Sequence, residues 1–152
     1  MELVAGHPQI RVLDESLDRD TLNRLLDSVD CFVSLHRSEG FGLVIAEAMA
    51  RGKVVLATDW SGNTDFMNAR NALPVNYRLV SLQADAGPYR RGERWAEPLH
   101  DDAVAKMRQV VADATLRNRL GARARADSAA QLAPEVIGAR MGARLNRLLA
   151  GR

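Results

Sequence analysis

The sequence predicts an α/β fold in which a parallel sheet carries helices on both faces and is followed by a helical tail at about 101–152. Strand-like and helix-like segments alternate through the first sixty residues, and from residue 101 onward the apolar residues recur with a helical period. The chain of 152 residues is 47% hydrophobic, which is enough for one core. We therefore expect a single, partial domain over residues 1–152.

The first half of the chain predicts three strands separated by two helices. The strands are IRVLD (Ile10–Asp14), Cys31–Leu35 and the β-branched Lys53–Asp59, and the helices are Asp18–Val29 and the apolar part of Ser38–Gly52. This order indicates right-handed βαβ units. Ligands of such sheets bind beyond the carboxyl ends of the strands.

The second half is irregular at first and then helical. We predict short strands near Leu73–Val75 and Leu79–Leu82, followed by an ordered loop that ends in WAEPLH and is either a lid or only a connection. Helical spacing returns from Asp101 to Asp113, from Thr115 to about Ser128, and again from Pro134.

Composition argues against an exported, a membrane-spanning or a metal-binding protein. The start, MELVAGHPQI, lacks the features of an export signal and no apolar run is long enough to span a membrane, so we expect a cytoplasmic protein. Cys31 is the only cysteine and reads as a buried apolar residue. His7, His36 and His100 lack metal-ligand spacing, so no metal site is expected.

Basic residues are concentrated in the tail. Residues 103–152 carry ten Lys or Arg against three Asp or Glu. These arginines are a solvated face or contact an anionic membrane surface, which would place the protein at the inner face of the membrane. They are not interleaved with aromatic residues, so no nucleic acid partner is expected.

The stretch SEGFGLVIAEAMARG places the acidic Glu47 in an apolar helix, where a buried carboxylate needs a partner. One interpretation is an ion pair with Arg51, four residues on. Glu39 could likewise be a carboxylate at a helix N-terminus, and Gly40 and Gly42 could only form a turn. Taken together, the two glutamates and the two glycines could also form a binding site for a ligand.

A diphosphate across the start of this helix would meet free backbone N–H groups. The two glycines would let the backbone approach it, with Glu39 on one side and Glu47 on the other. Eight helical residues span at most ~12 Å, which is about the length of a sugar linked through a diphosphate to a nucleoside. Each carboxylate could then bind vicinal hydroxyls at one end of that ligand.

The segment EGFGLVIAE, followed by AMARGKVVLATD, resembles the nucleotide-sugar-binding half of the group 1 glycosyltransferases, retaining enzymes with the two-Rossmann-domain GT-B fold. The resemblance runs from about Ile10 to Asn63. The segments SLHRSEGFGL, SGNTDFM and PYRRGERWAEP look like a narrower subset that adds mannose or rhamnose during bacterial surface polysaccharide (lipopolysaccharide O-antigen) assembly.

The resemblance implies a nucleotide-diphosphate sugar as donor, no cofactor or metal, and a saccharide or lipid-linked saccharide as acceptor. It implies that Glu39 is the catalytic residue contacting the donor hexose, and that Glu47 binds the ribose hydroxyls. The other donor-binding positions that it implies lie beside the base, the sugar or the diphosphate: Ser16, Leu17, Gly40, Phe41, Gly42 and Leu43.

Further candidates flank the motif. His36 and Arg37 could touch phosphate or acceptor, or His36 could be a loop histidine satisfied by backbone hydrogen bonds. Ser61, Gly62 and Asn63 end a strand at the expected cleft and could meet a sugar, although turn formation explains them equally well.

The chain looks like the C-terminal portion of a Rossmann-like GT-B enzyme. Residues before Ile10 do not supply the glycine-rich first turn, the Arg and Lys, or the acceptor domain that the resemblance implies. We therefore expect a chain that is inactive without an N-terminal domain of the same enzyme and that tends to self-associate. The alternatives are a non-catalytic nucleotide-sugar-binding domain and a protein-interaction domain.

Overall fold

The computed structural model describes residues 6–151. The stretch MELVAGHPQI, which we interpret as free of an export signal, begins outside this part, at residues 1–5. The helices are α1 (Arg19–Ser28), α2 (Leu43–Ala50), α3 (His100–Ala112), α4 (Ala114–Leu132) and α5 (Pro134–Ala150). The strands are β1 (Cys31–Ser34), β2 (Val54–Thr58), β3 (Leu73–Val75), β4 (Tyr77–Ser81) and β5 (Arg94–Pro98).

The main sheet has three parallel strands in the order β1-β2-β3, as the alternation of strands and helices predicts. Phe32 on β1 lies opposite Val55 on β2, and Leu56 on β2 lies opposite Leu73 on β3. All five residues of the central strand are buried. This burial explains why its first four residues are all apolar, because a parallel strand covered on both faces has no polar side.

Alternate residues of β2 enter different clusters on the two faces of the sheet. Val55 and Ala57 belong to the cluster that contains Ile45 and Met49 of α2. Val54 and Leu56 belong to clusters with residues of α3 and α4, among them Val110. The predicted arrangement, with helices on both faces, is therefore confirmed.

Helix α4 packs closely against the turn that follows α2. A Cβ atom added to Gly121 would lie 2.2 Å from the carbonyl oxygen of Gly52, so only glycine fits there. Gly52 has a φ of 72°, in the left-handed region that ends helices. This contact holds α4 against the end of α2, and Ala124, one turn further on, joins the same cluster as Met49.

The strand predicted at Ile10–Asp14 does not form. Within the described residues, β1 pairs only with β2, so this segment has no neighbouring strand to receive its backbone hydrogen bonds. Its apolar side chains Ile10, Val12 and Leu13 are exposed, with accessible fractions of 41–51%. The alternation of apolar residues indicated a strand. A strand also needs a neighbouring strand to pair with, which the alternation alone does not provide.

The segment predicted as an ordered loop contains a strand instead. β5 pairs antiparallel with β4, with Leu79 opposite Ala96 and Ser81 opposite Arg94. Gly87, Pro88 and Gly92, which suggested a loop, lie between the two strands and close the hairpin, whereas Pro98 is the last residue of β5. The WAEP residues therefore form one strand of a two-stranded sheet.

Helices fill the chain from His100 to Ala150, close to the three predicted helical segments. α3 and α4 contribute buried residues to the core, whereas α5 has none. Along α5 the side chains of Met141, Leu145 and Leu148 are 50–61% exposed. Within residues 6–151, no helix combines the length and the apolar character needed to cross a membrane.

Candidate functional site

The loops that follow β1 and β2 meet at the carboxyl ends of these strands. The Gly62 N–H donates a 3.5 Å hydrogen bond to the Glu39 carbonyl oxygen. A Cβ atom added to Gly62 would lie 2.0 Å from the Gly40 carbonyl oxygen, so a larger residue would force the loops apart. The predicted candidates from both loops are therefore brought together at one edge of the sheet.

Residues 61–63 belong to the loop after β2 and lie at this edge of the sheet. Ser61 has a φ of 80°, in the left-handed region where a residue other than glycine is strained. Asn63 is fully buried, and its side-chain amide donates to the Thr58 carbonyl oxygen at 3.0 Å. A Cβ atom at Gly42 would lie 3.3 Å from that of Asn63, so Asn63 lies beneath the start of α2.

Helix α2 begins at this same edge without a capping side chain. Its N-cap residue is Gly42, with a φ of 89°, which has no side chain to cap the first turn. The first backbone N–H groups of a helix have no partner within the helix. Leu43 stands at the opening, 68% exposed. This geometry leaves the first-turn N–H groups available to an anion.

Glu39 lies just before this helix and is half-buried. Its Oε1 accepts a 3.0 Å hydrogen bond from the Gly40 N–H. The carboxylate is thus folded back over the backbone beside the start of α2, while its second oxygen can accept hydrogen bonds from a ligand.

Glu47 faces α1 from the second turn of α2. Its Oε1 accepts a 2.5 Å hydrogen bond from Nη2 of Arg19, whereas Oε2 is buried and has no hydrogen-bond partner among the described residues. The Glu47 side chain is 24% exposed. The carboxylate therefore has a charged partner on one oxygen and an unused acceptor on the other.

The alternative ion pair between Glu47 and Arg51 does not form. Arg51 donates instead to the Glu47 backbone carbonyl, to the side chain of Asn23, and at 3.2 Å to the Asp27 carboxylate. These contacts tie the end of α2 to α1. The i, i+4 spacing made the pair plausible, but an arginine on a packed helix can reach a neighbouring helix as easily.

His36 connects the loops after β1 and β2. Its Nε2 lies 3.0 Å from the Trp60 carbonyl oxygen, and Nδ1 lies 3.1 Å from Oγ of Ser34. Because a carbonyl oxygen only accepts, Nε2 carries a proton, and in the neutral ring Nδ1 accepts from Ser34. Both ring nitrogens are engaged within the protein, one with a backbone carbonyl and the other with a side-chain hydroxyl.

Arg37 faces the β4–β5 hairpin. Its Nε and Nη2 donate to the two carboxylate oxygens of Glu97 at 2.6 and 3.0 Å, and its Cζ lies 5.0 Å from the centre of the Trp95 ring. The hydrogen bonds from Arg37 lower the pKa of the Glu97 carboxyl group below its usual value. Arg37 therefore joins the loop before Glu39 to β5.

Ser16 and Leu17 lie directly before α1. Ser16 is exposed and Leu17 is half-buried. Asp18 caps the helix by accepting from the Thr21 N–H at 2.7 Å, and Arg19 then reaches Glu47. The predicted base-contacting turn is thus connected to the predicted ribose-binding carboxylate through the first turn of one helix.

An apolar groove of about 640 Å³ runs between α2, α4 and α5. Phe41, Leu43 and Glu47 line one side, and Leu132 and Ile137 are among the residues opposite. This groove keeps much of the surface beside Glu47 apolar. A hydrogen bond to the carboxylate is stronger in such surroundings than in water.

No cluster of three or more potential metal ligands occurs in the part of the chain that the structure describes.

A sequence profile described as "Glycosyl transferases group 1" matches residues 1–85, more than half of the chain. The chain belongs to the group 1 glycosyltransferase family. The match includes the EGFG segment and both glutamates, on which the resemblance depends. A comparison with the curated proteins found no match.

Among solved structures, this family member is similar to sucrose-phosphate synthase from Thermosynechococcus elongatus, with a TM-score of 0.66 and 24% identity. The match covers 90% of this chain and 29% of that chain. At this identity the likeness shows the fold alone, and it agrees with the predicted GT-B domain. The chain thus spans less than a third of the length of this relative.

Two contacts in this group 1 glycosyltransferase chain were not predicted from its sequence. Arg19 is the hydrogen-bond donor to Glu47, although the two residues are 28 positions apart. Glu97 binds Arg37 across 60 positions. Nothing in local spacing indicates such pairs. The acid in an apolar helix indicated only that Glu47 needs a partner, which we predicted to be Arg51 or a ligand.

Proposed function

We propose that the chain is the donor-binding portion of a retaining glycosyltransferase, which transfers a hexose from a nucleotide-diphosphate sugar to a saccharide acceptor. The observation that carries this proposal is the Glu47 carboxylate: Arg19 holds one oxygen, and the other is buried with no partner among residues 6–151. A buried acceptor left unused is costly unless a ligand satisfies it.

Ribose hydroxyls are suitable donors to Glu47. Two vicinal hydroxyl groups point in similar directions, and each can donate to a carboxylate oxygen. Arg19 holds one oxygen of the carboxylate in place through its hydrogen bond. The turn at Ser16 and Leu17, next to Arg19 in the chain, is then the proposed contact for the base.

The diphosphate would lie at the start of α2. The uncapped first turn offers backbone N–H groups, including that of Leu43, and the helix dipole favours negative charge there. Gly42 adopts a left-handed conformation at that point, which glycine permits without a Cβ in the way. In the reaction these groups would stabilise the leaving nucleoside diphosphate.

The donor hexose would then lie next to Glu39, the proposed catalytic residue. Glu39 is close to Gly62 of the neighbouring loop, so both strand ends contribute to this part of the site. A carboxylate binds sugar hydroxyls through charge-assisted hydrogen bonds and fixes the orientation of the ring. Ser61 and Gly62 are further proposed contacts for donor or acceptor.

The finer assignment rests on the resemblance of SLHRSEGFGL, SGNTDFM and PYRRGERWAEP. We propose mannose or rhamnose transfer in bacterial surface polysaccharide biosynthesis, to a saccharide or lipid-linked acceptor. An N-terminal domain of the same enzyme would bind the acceptor and supply an Arg and a Lys for the diphosphate. The arginine-rich tail would contact the membrane surface.

Isothermal titration calorimetry tests the donor site. UDP, GDP and dTDP are titrated into the chain, followed by UDP-glucose, GDP-mannose and dTDP-rhamnose. We expect one nucleoside diphosphate to bind preferentially and Glu47→Gln to weaken its binding. Failure of all six compounds to bind would contradict the proposal.

A second candidate is a nucleotide-sugar-binding domain without activity of its own. Arg37 and Arg51, two nearby cations, are both engaged with carboxylates, at Glu97 and Asp27. A helix N-terminus carries only about half a unit of positive charge, which is less than a leaving diphosphate requires. Donor hydrolysis or transfer by this chain alone would exclude the binding-only function.

A further inference from the structure

The β4–β5 hairpin is attached to both loops of the candidate site. On β5, the Ala96 N–H donates a 3.0 Å hydrogen bond to the Arg37 carbonyl oxygen in the loop after β1. On β4, the Tyr77 ring packs against Trp60 in the loop after β2, with ring centres 5.2 Å apart. These contacts fix the hairpin across the ends of two neighbouring strands.

The side chain of Arg37 makes the most specific of these contacts. It binds both oxygens of Glu97, and its guanidinium lies over the Trp95 ring. A planar guanidinium that is paired on its edge and stacked on its face has a fixed orientation, which a lysine could not reproduce. The pair is 50% and 30% exposed, so it contributes little to overall stability and mainly fixes geometry.

Arg37 is only two residues from Glu39. On the side of β2, the Glu39 carbonyl oxygen accepts a hydrogen bond from the Gly62 N–H. The bond is 3.5 Å long and therefore weak. The Glu39 segment is thus held on the hairpin side by Arg37 and on the side of β2 by the close approach of Gly62 to the Gly40 carbonyl oxygen. If the side-chain contact of Arg37 is lost, one of these two restraints is removed, and we expect the Glu39 carboxylate to shift from its position.

We infer that the β4–β5 hairpin holds Glu39 in position for the donor hexose, with Arg37 as the positioning residue. The inference rests on the proposed function, because it concerns the sugar end of the same donor site. A displacement of about 1 Å is enough to weaken a contact that depends on alignment. The nucleoside end, at Glu47 and Arg19, has no contact with this pair and should not respond.

Two variants and one matched control test the inference. Glu97→Gln keeps the shape of the side chain but removes its charge, and Arg37→Lys keeps the charge but removes the paired geometry. Arg90→Gln is the control, because Arg90 pairs with Asp85 at 3.0 Å in the same hairpin but away from Arg37. Thermal unfolding of each variant checks that the fold is retained.

The first measurement compares the dissociation constants of each nucleotide sugar and its nucleoside diphosphate, with UDP-glucose and UDP, GDP-mannose and GDP, and dTDP-rhamnose and dTDP as the probes. In Glu97→Gln and Arg37→Lys, we expect the sugar-bearing compound to bind about tenfold more weakly and the nucleoside diphosphate to bind as before. Equal weakening of both compounds, or no weakening of either, would overturn the inference.

The second measurement needs no ligand. Because the Gly40 N–H donates to the Glu39 carboxylate, its NMR amide resonance reports the position of that side chain. Glu97→Gln should shift or broaden this resonance, whereas Arg90→Gln should leave it unchanged. An unaffected Gly40 resonance in Glu97→Gln would overturn the inference even if no nucleotide binds, an outcome that would separately contradict the proposed function.

Discussion

Arg19 on α1 donates a hydrogen bond to Oε1 of Glu47 on α2, and the second oxygen of Glu47 is buried with no partner in the described part of the chain. This relationship explains how an ionised group is retained in an otherwise apolar helix. The arginine compensates the charge and leaves one acceptor for a ligand. It also connects the start of α1 with the candidate ribose site.

Replacement of the Glu47 carboxylate by an amide tests its proposed role. Glu47→Gln should weaken nucleoside diphosphate binding by roughly 1 to 3 kcal/mol, because charge-assisted hydrogen bonds to the ribose hydroxyls are lost. Calorimetry measures the affinity, and circular dichroism checks the fold. Glu135→Gln, at an exposed position on α5, is the control and should bind as the wild type does. Unchanged affinity in Glu47→Gln would show that Glu47 has only a structural role.

The contact between the two site loops depends on the absence of a side chain at residue 62. Gly62→Ala would place a methyl group 2.0 Å from the Gly40 carbonyl oxygen, so we expect a loss of roughly 1 to 3 kcal/mol in the free energy of unfolding. Urea denaturation measures the loss. Nucleotide-sugar affinity should fall as well, because the loops must separate.

Gly138→Ala is the matched control, since Gly138 lies in α5 with no atom within 4 Å of an added Cβ. It should stabilise the chain by about 0.5 to 1 kcal/mol through helix propensity. Equal effects of the two substitutions would show that the approach of the loops is not tight.

The Cys31 thiol should titrate at unusually high pH. Burial, with a smaller contribution from Asp30, raises its pKa from 9.0 to about 11. Because the folded-state pKa is the higher one, the stabilisation is complete below pH 9.0 and is lost as the pH rises towards about 11. Alkylation by iodoacetamide should therefore keep accelerating above pH 9.0, whereas the urea-unfolded chain levels off there. A plateau near pH 9.0 in the folded protein would contradict this prediction.

The exposed apolar face of α5 predicts self-association. Met141, Leu145 and Leu148 follow one another at helical spacing and are 50–61% exposed. Sedimentation velocity should show association that increases with concentration. The double variant Leu145→Glu, Leu148→Glu should weaken it by roughly tenfold or more, through lost apolar burial and charge repulsion.

Val111→Glu is the control for the α5 variant, because Val111 is 80% exposed on α3. It should associate as the wild type does. A chain that stays monomeric at every concentration would show that this face does not mediate self-association.

Local patterns in the sequence were sufficient to predict much of the fold. The apolar period of α1, the β-branched run of β2 and the strand Leu73–Val75 were each located within one or two residues, because burial on a sheet or helix face determines these patterns. Two predictions were wrong: a strand at Ile10–Asp14, and a loop before His100 where β5 lies. Both errors concern pairing, since a strand depends on a neighbour that local sequence does not specify.

The candidate site shows the same limit. Glu39 and Glu47 could be recognised from their spacing and from the glycines between them, because a helix N-terminus is a local feature. The partners Arg19 and Glu97 could not, since they reach the site from other elements. Asn63 is an intermediate case: it was predicted at the end of a strand and lies five residues beyond β2. Its burial beneath Gly42 follows only from packing.

The most direct test of the central claim is an NMR titration of the chain with the nucleoside diphosphate that binds best. We predict that the largest amide shifts occur at Gly42, Leu43 and Val44, where the uncapped turn of α2 would bind the diphosphate, with further shifts at Glu47. Glu47→Gln should require a higher ligand concentration for the same shifts. If the largest shifts instead fall away from the start of α2, or no amide there moves at saturation, the chain does not bind its donor in the way proposed.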